Sequence, residues 1–115
     1  MIPHWILKIT KNWEERAVLA QLNYYFRISE RDNKIRARVA WDGDLWVAKT
    51  HKEMAFETGL SRPQVKRAVD RLRRKRLIYQ EYHLFWGLRT SHYRLNWDEL
   101  QEAFVEAGGD VCDPV

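Results

Sequence analysis

The sequence predicts an α+β fold, in which short helices alternate with hairpin strands around one core. Three observations carry that expectation. Asn12 and Glu15, Thr50 and Glu53, Ser61 and Gln64, and Asn96 and Glu99 each stand three apart, the reciprocal capping arrangement of a helix start. Apolar and polar residues alternate with the period of a half-buried strand at 35–41. Asp42-Gly43 and Gly87 fall between strand-like runs, where hairpins turn.

Taken in order, residues 2–9 mix Ile2, Trp5, Ile6, Leu7 and Ile9 with few polar breaks and read as an extended or irregular lead-in. The Asn12 cap opens a helix over about 13–28, with Ala17, Val18, Leu22, Tyr25 and Phe26 on a broad apolar face. A polar loop, SERDNK, separates it from a strand in which Ile35, Ala37, Val39 and Trp41 alternate with Arg36 and Arg38. Asp42-Gly43 turns this strand into Leu45-Trp46-Val47. Thr50 and Ser61 cap two short helices, with Gly59 ending the first and Pro63 inside the first turn of the second. Residues 77–82 and 90–95 then form a hairpin around HLFWGLR. The Asn96 cap opens a last helix, with Trp97, Leu100, Ala103, Phe104 and Ala107 as its apolar stripe, stopping at Gly108-Gly109. Residues 1–109 are expected to form one domain and 110–115 a loose tail.

Length and composition set bounds. A chain of 115 residues, 45% hydrophobic and with six Trp, suits one packed domain. The formal charge of +4 is segregated: residues 62–76 hold eight Lys or Arg and one Asp, whereas 97–115 hold six acids and no Lys or Arg. A polyanion met on one side fits that distribution. Cys112 is the only cysteine, and the four His (4, 51, 83 and 92) lack metal-ligand spacing, so no metal site or cofactor is expected. No Gly-rich phosphate loop, nucleophile elbow or acid pair argues for an enzyme. No apolar run suggests a signal peptide or a membrane span, so a cytoplasmic protein is expected.

The helix pair of THKEMAFETGLSRPQVKRAVDRLRRKR organises the rest. Met54, Ala55 and Thr58 on its first helix face Leu60, Val65, Ala68, Val69 and Leu72 on its second. Arg62, Lys66, Arg67, Arg71 and Arg74 occupy the outer face. Counted from His51, Ala55, Gly59 and Val65 take the fifth, ninth and fifteenth positions, and in this the stretch resembles the DNA-binding helix-turn-helix family. The order helix, strand, helix pair, hairpin, helix covers nearly the whole chain and resembles a winged helix-turn-helix domain with an added N-terminal helix and hairpin and a C-terminal helix. The tract GLSRPQVKRAVDRLRRKRLI is similar to phage and plasmid replication-initiator modules and small transcriptional regulators. One departure is Arg76, where such modules often carry Gly.

The resemblance implies a sequence-specific double-stranded DNA-binding protein, with helix 61–75 in the major groove and hairpin 77–95 as the wing. Arg62 and Arg67 are then the candidates for base contact, because a guanidinium can bind guanine in a bidentate way. Gln64 could pair with adenine, although Ser61 competes for its amide as a cap. Lys66 and Arg71 would hold phosphates, Thr50 and Lys52 the flanking backbone, and Arg74 a diffuse electrostatic anchor. In the hairpin, Arg89 is the natural phosphate or minor-groove probe, with His83 beside it. Trp86 would lie on the sugar backbone or fold back into the core. The rival reading is a protein-binding winged helix whose basic face docks an acidic partner. The first and last helices are apolar enough to share a homodimer interface or to pack on each other.

Overall fold

The computed structural model describes residues 2–27 and 32–108. Among them are five helices: α1 (His4–Ile9), α2 (Trp13–Phe26), α3 (His51–Thr58), α4 (Arg62–Arg74) and α5 (Trp97–Glu106). The strands are β1 (Arg38–Val39), β2 (Leu45–Ala48), β3 (Ile78–Phe85) and β4 (Leu88–Leu95). The expected α+β class holds. Strands β2, β4 and β3 form a three-stranded antiparallel sheet in that order, and the two-residue β1 adds to the outer edge of β2. The tail at 110–115 and Ile28 lie outside the described residues.

The helices pack on one sheet face. Val18, Leu19 and Leu22 of α2, Met54 of α3, and Val65, Ala68, Val69 and Leu72 of α4 meet Ile78, Tyr93 and Leu95 in a continuous core. Strand alternation decides which hairpin residues join it. Tyr93 opposes Gln80 and Val47, and Leu95 opposes Ile78, so this face carries Tyr82, Arg89 and Ser91 further out. The other face carries Tyr79, His83, His92 and Arg94. Strand β2 pairs with Tyr93 and His92 of β4, and Lys49 N–H beyond its end still reaches the Ser91 carbonyl, so the outer rungs, from His83–Thr90 to Phe85–Leu88, are paired only within the hairpin.

Four sequence expectations are corrected. The lead-in is helical over α1: a helix of six residues is too short to declare itself by period, and Ile6, fully buried, is held there by the core and by α5, where Trp5 meets Trp97 at 6.2 Å. The strand at 35–41 is regular only at Arg38–Val39, because Ala40–Asp44 is taken up by a turn in which Asp42 accepts from Asp44 N–H and the Trp46 indole. Two of the capping boxes form reciprocally, at Thr50/Glu53 and Ser61/Gln64. At Asn12 and Asn96 the asparagine caps the helix, but Glu15 pairs with Lys75 instead, and the Asn96 N–H goes to the Leu77 carbonyl.

The fourth correction is the hairpin loop. Both strands run on through HLFWGLR, leaving only Trp86-Gly87 at the turn. Their φ values of 52° and 78° are the positive pair that a two-residue hairpin takes to match strand twist. Trp86 is 89% exposed, between exposed Leu84 and Leu88, so its alternative place in the core is not taken. A second positive φ ends α4. Leu77 N–H bonds Leu72 O and Arg76 N–H bonds Arg73 O, a Schellman closure with Arg76 at φ 62° in the position glycine normally fills.

Candidate nucleic-acid interface

The α3–α4 pair is fixed by local chemistry before any packing. Thr50 Oγ1 accepts from Glu53 N–H at 3.0 Å and Ser61 Oγ from Gln64 N–H at 3.2 Å; each partner's carboxylate or amide oxygen accepts in return. Gly59, at φ 78°, ends α3 in the left-handed conformation and lets the chain turn directly into Leu60 and Ser61. Pro63 falls at the start of α4, where no helical N–H is lost. Burial of Met54, Leu60, Val65, Ala68 and Leu72 then sets the angle between the helices and turns the charged side of α4 outward.

Position on α3 is secured from the other side by a polar cluster. Lys49, the residue between β2 and the Thr50 cap, pairs with Glu57 at 2.8 Å; the Tyr25 hydroxyl donates to the same carboxylate, and Gln21 donates at 2.9 Å. Burial pushes the Glu57 carboxyl up, but the hydrogen bonds from Lys49 and Tyr25 hold it below its ordinary value. Glu57 therefore stays ionised and ties α2, α3 and the end of β2 together.

The starts of α3 and α4 and the core-side face of the β3–β4 hairpin enclose a cleft of about 610 Å³. Thr50, Lys52, Arg62, Lys66 and Arg89 line it, with His51 and Tyr82. Lys66 is 3.5 Å from Asp70, a loose pair that leaves its charge mostly in solvent. No carboxylate among the described residues pairs with Lys52, Arg62 or Arg89; the Arg89 guanidinium lies over the Tyr82 ring at 5.0 Å. The consecutive helices α3 and α4 and the later strand β4 thus bring four cations to one concave surface.

The remaining candidates divide differently from the sequence expectation. Arg67 and Arg71 turn towards α2, where Glu14 meets them at 3.3 and 3.7 Å. Arg74 is exposed near the far end of α4, and Arg73 leans back on Asp70 and Gln80. Ser61 and Gln64 spend their oxygens on each other's N–H groups, leaving the Ser61 hydroxyl proton and the Gln64 NH₂ as donors. His83 stands on the opposite sheet face from Arg89, its ring 3.5 Å from that of Trp41, and does not join the cleft. Arg94 is there too, bonded to Asp44.

Four lining residues, Tyr82, Thr90, Ser91 and His51, were not foreseen. Tyr82 could have been found from strand alternation, since it is two residues from Gln80 and directly opposite Ser91. His51 directly follows the Thr50 cap, and that adjacency was the only sign. Its Nε2 is buried and has no hydrogen-bond partner among the described residues. Burial, helped by Lys66 and opposed by Asp70, holds the imidazole below its ordinary value, so the neutral form is favoured.

Among the described residues no group of His, Cys, Asp and Glu is placed to hold a metal ion, and no helix is long and apolar enough to cross a membrane. No family model, curated protein or solved structure matches the chain.

Proposed function

We propose that the chain is a double-stranded DNA-binding protein of the winged helix-turn-helix type, with α3–α4 as the helix pair and β3–β4 as the wing. The α+β order and the antiparallel sheet are compatible with that fold. One observation carries the reading: Thr50, Lys52, Arg62, Lys66 and Arg89 converge from two helix starts and a hairpin on one cleft with few acidic groups. A cleft of that kind suits a sugar–phosphate strand, which the cations neutralise and the helix-start groups position. The first turn of α4 then meets the base edges, and Arg62 is the residue best placed to read guanine. Arg67 and Arg71, held by Glu14, act as a reserve of positive charge beside the strand rather than as primary base readers. The resemblance to phage and plasmid modules points to replication initiation or transcriptional regulation as the setting, with the corresponding machinery as further partners.

Selection from a random duplex library at about 150 mM salt, where purely electrostatic binding weakens, tests this directly. The expected result is a recovered motif that an Arg62→Ala, Lys66→Ala double variant loses. If no duplex survives selection, or the variant recovers the same motif equally well, the assignment of α4 as the reading helix is wrong. Binding to an acidic protein instead would then be the reading to pursue.

A further inference from the structure

On the opposite sheet face from the cleft, a second cavity of about 420 Å³ opens between the β1–β2 hairpin, the end of α2 and β4. Its volume is within the range of roughly 300–1,000 Å³ that small-molecule sites occupy. Rings dominate its walls. Trp46 is almost fully buried, with its indole N–H donating to Asp42 at 3.0 Å, and Trp41 lies against it at 4.9 Å. His92 meets Trp41 edge-on at 5.4 Å, and Tyr25 contributes from α2. Trp41 itself is half exposed, so part of its indole is open to a partner beside the His83 ring, which lies against it at 3.5 Å.

The rim is basic. Lys49 is committed to Glu57, but Arg36 and Arg38 have no carboxylate partner among the described residues. Arg36 rests on the Tyr24 ring at 4.7 Å, which orients it without neutralising it. Both rim cations are arginines, whose planar forks match phosphate oxygens in a way that a lysine ammonium does not. Stacking rings beside arginines that have no carboxylate partner among the described residues are the two halves of nucleotide recognition: aromatic faces take a base of any identity, and guanidinium takes the phosphate.

We propose that this cavity is a nucleotide-binding site, in which the base packs against Trp41 and Tyr25 above Trp46 and the phosphate is held by Arg38 and Arg36. The nucleotide is either free or part of a single strand. This site shares no side chain with the cleft and stands independently of the duplex-binding reading. It is nevertheless adjacent to it through the backbone, because Lys49 N–H bonds the Ser91 carbonyl at 3.0 Å, and Ser91 lines the cleft.

The test is titration of the full chain with AMP, adenosine, ribose 5-phosphate and a short oligo(dT), read by the indole N–H resonance of Trp46 and the backbone amides. AMP, oligo(dT) or both should shift the Trp46 indole and the amides of Ala48 and Lys49. Adenosine and ribose 5-phosphate should bind about tenfold more weakly or not at all, since each lacks one half of the recognised chemistry. A response to AMP identifies a free nucleotide, and a response to oligo(dT) alone a single strand. Arg38→Ala and Trp41→Ala, both at solvent-facing positions, should each weaken binding about tenfold with the amide spectrum otherwise preserved. Arg62→Ala, Lys66→Ala should leave it unchanged, which separates this site from the cleft. The proposal is overturned if neither AMP nor oligo(dT) moves Trp46, or if adenosine or ribose 5-phosphate binds as well. Full binding by both rim variants, or its loss in the cleft variant, overturns it equally.

Discussion

Glu14, in the first turn of α2, holds Arg67 at 3.3 Å, 53 positions away in the chain. The carboxylate is nearly buried, whereas the guanidinium is half exposed, so the acid is the anchored partner and the arginine the mobile one. Arg71 shares the same carboxylate. Two of the cations on the outer face of α4 are thereby partly neutralised from within the protein.

Glu14→Gln should therefore release both arginines. Duplex affinity is expected to rise severalfold, and the dependence of log affinity on log salt to steepen by up to about 2, near one unit for each cation newly available to phosphate. Because each pair is open to water on its arginine side, the loss of stability should stay within about 1 kcal/mol. Fluorescence anisotropy across a salt series, beside a urea unfolding curve, measures both. Unchanged or weaker duplex binding would mean that Arg67 and Arg71 contribute only when fixed by Glu14.

Lys75 and Glu15 form the tighter contact, at 2.6 Å, and Glu15 is buried. Lys75→Met should strand that carboxylate and destabilise the fold by about 1–3 kcal/mol, the cost of an unsatisfied buried group. Adding Glu15→Gln should recover part of the loss, since the remaining amide carries no charge. A double-mutant cycle by chemical denaturation resolves the coupling; simple additivity would show that the pair is not energetically linked.

Acid should weaken the fold through His51. Its imidazole is held below the ordinary value of 6.5 chiefly by burial, so the unfolded chain takes up a proton before the folded one does. The contribution is present in full above 6.5 and is lost as pH falls below that value. His51→Gln should flatten the fall in urea midpoint over that interval. An equally steep profile in the variant would assign the acid sensitivity elsewhere.

Arg76 occupies the left-handed position that closes α4. Arg76→Gly removes the clash between Cβ and the following carbonyl while giving the unfolded chain more freedom, so the net gain should be at most about 1 kcal/mol. Thermal unfolding should shift upwards by a few degrees at most. A lower melting temperature would show that the Arg76 side chain contributes more than its backbone strain costs.

What could be read from the sequence was what is decided within a few residues. The caps at Thr50 and Ser61, the turn at Gly59 and the apolar spacing from Val65 to Leu72 are local, and each appears as expected. Helix α1 was not legible, because six residues carry too little period and its form is imposed by contacts such as Trp5 with Trp97; the strand at 35–41 is legible from its alternation, but only Arg38–Val39 keeps it. The Trp86-Gly87 turn carries no Asn-Gly or Asp-Gly signal, so the hairpin looked shorter than it is. Within the candidate interface, the division of the α4 cations was hidden for another reason. Whether an arginine faces solvent or an acid on α2 depends on which helix lies beside it, and helical period alone does not say.

The outer rungs of the β3–β4 hairpin have no neighbouring strand, and this separates two properties that are joined in most of the molecule. Inserting two residues into each strand beyond the Tyr82–Ser91 rung would lengthen the ribbon by about 7 Å and preserve which side chains face the cleft. That insertion would touch no core position, whereas deleting two residues from each strand there would remove Arg89 from the cleft. How far the hairpin reaches from the core is thus adjustable by insertion alone, so related chains could differ in that reach while keeping the same interior.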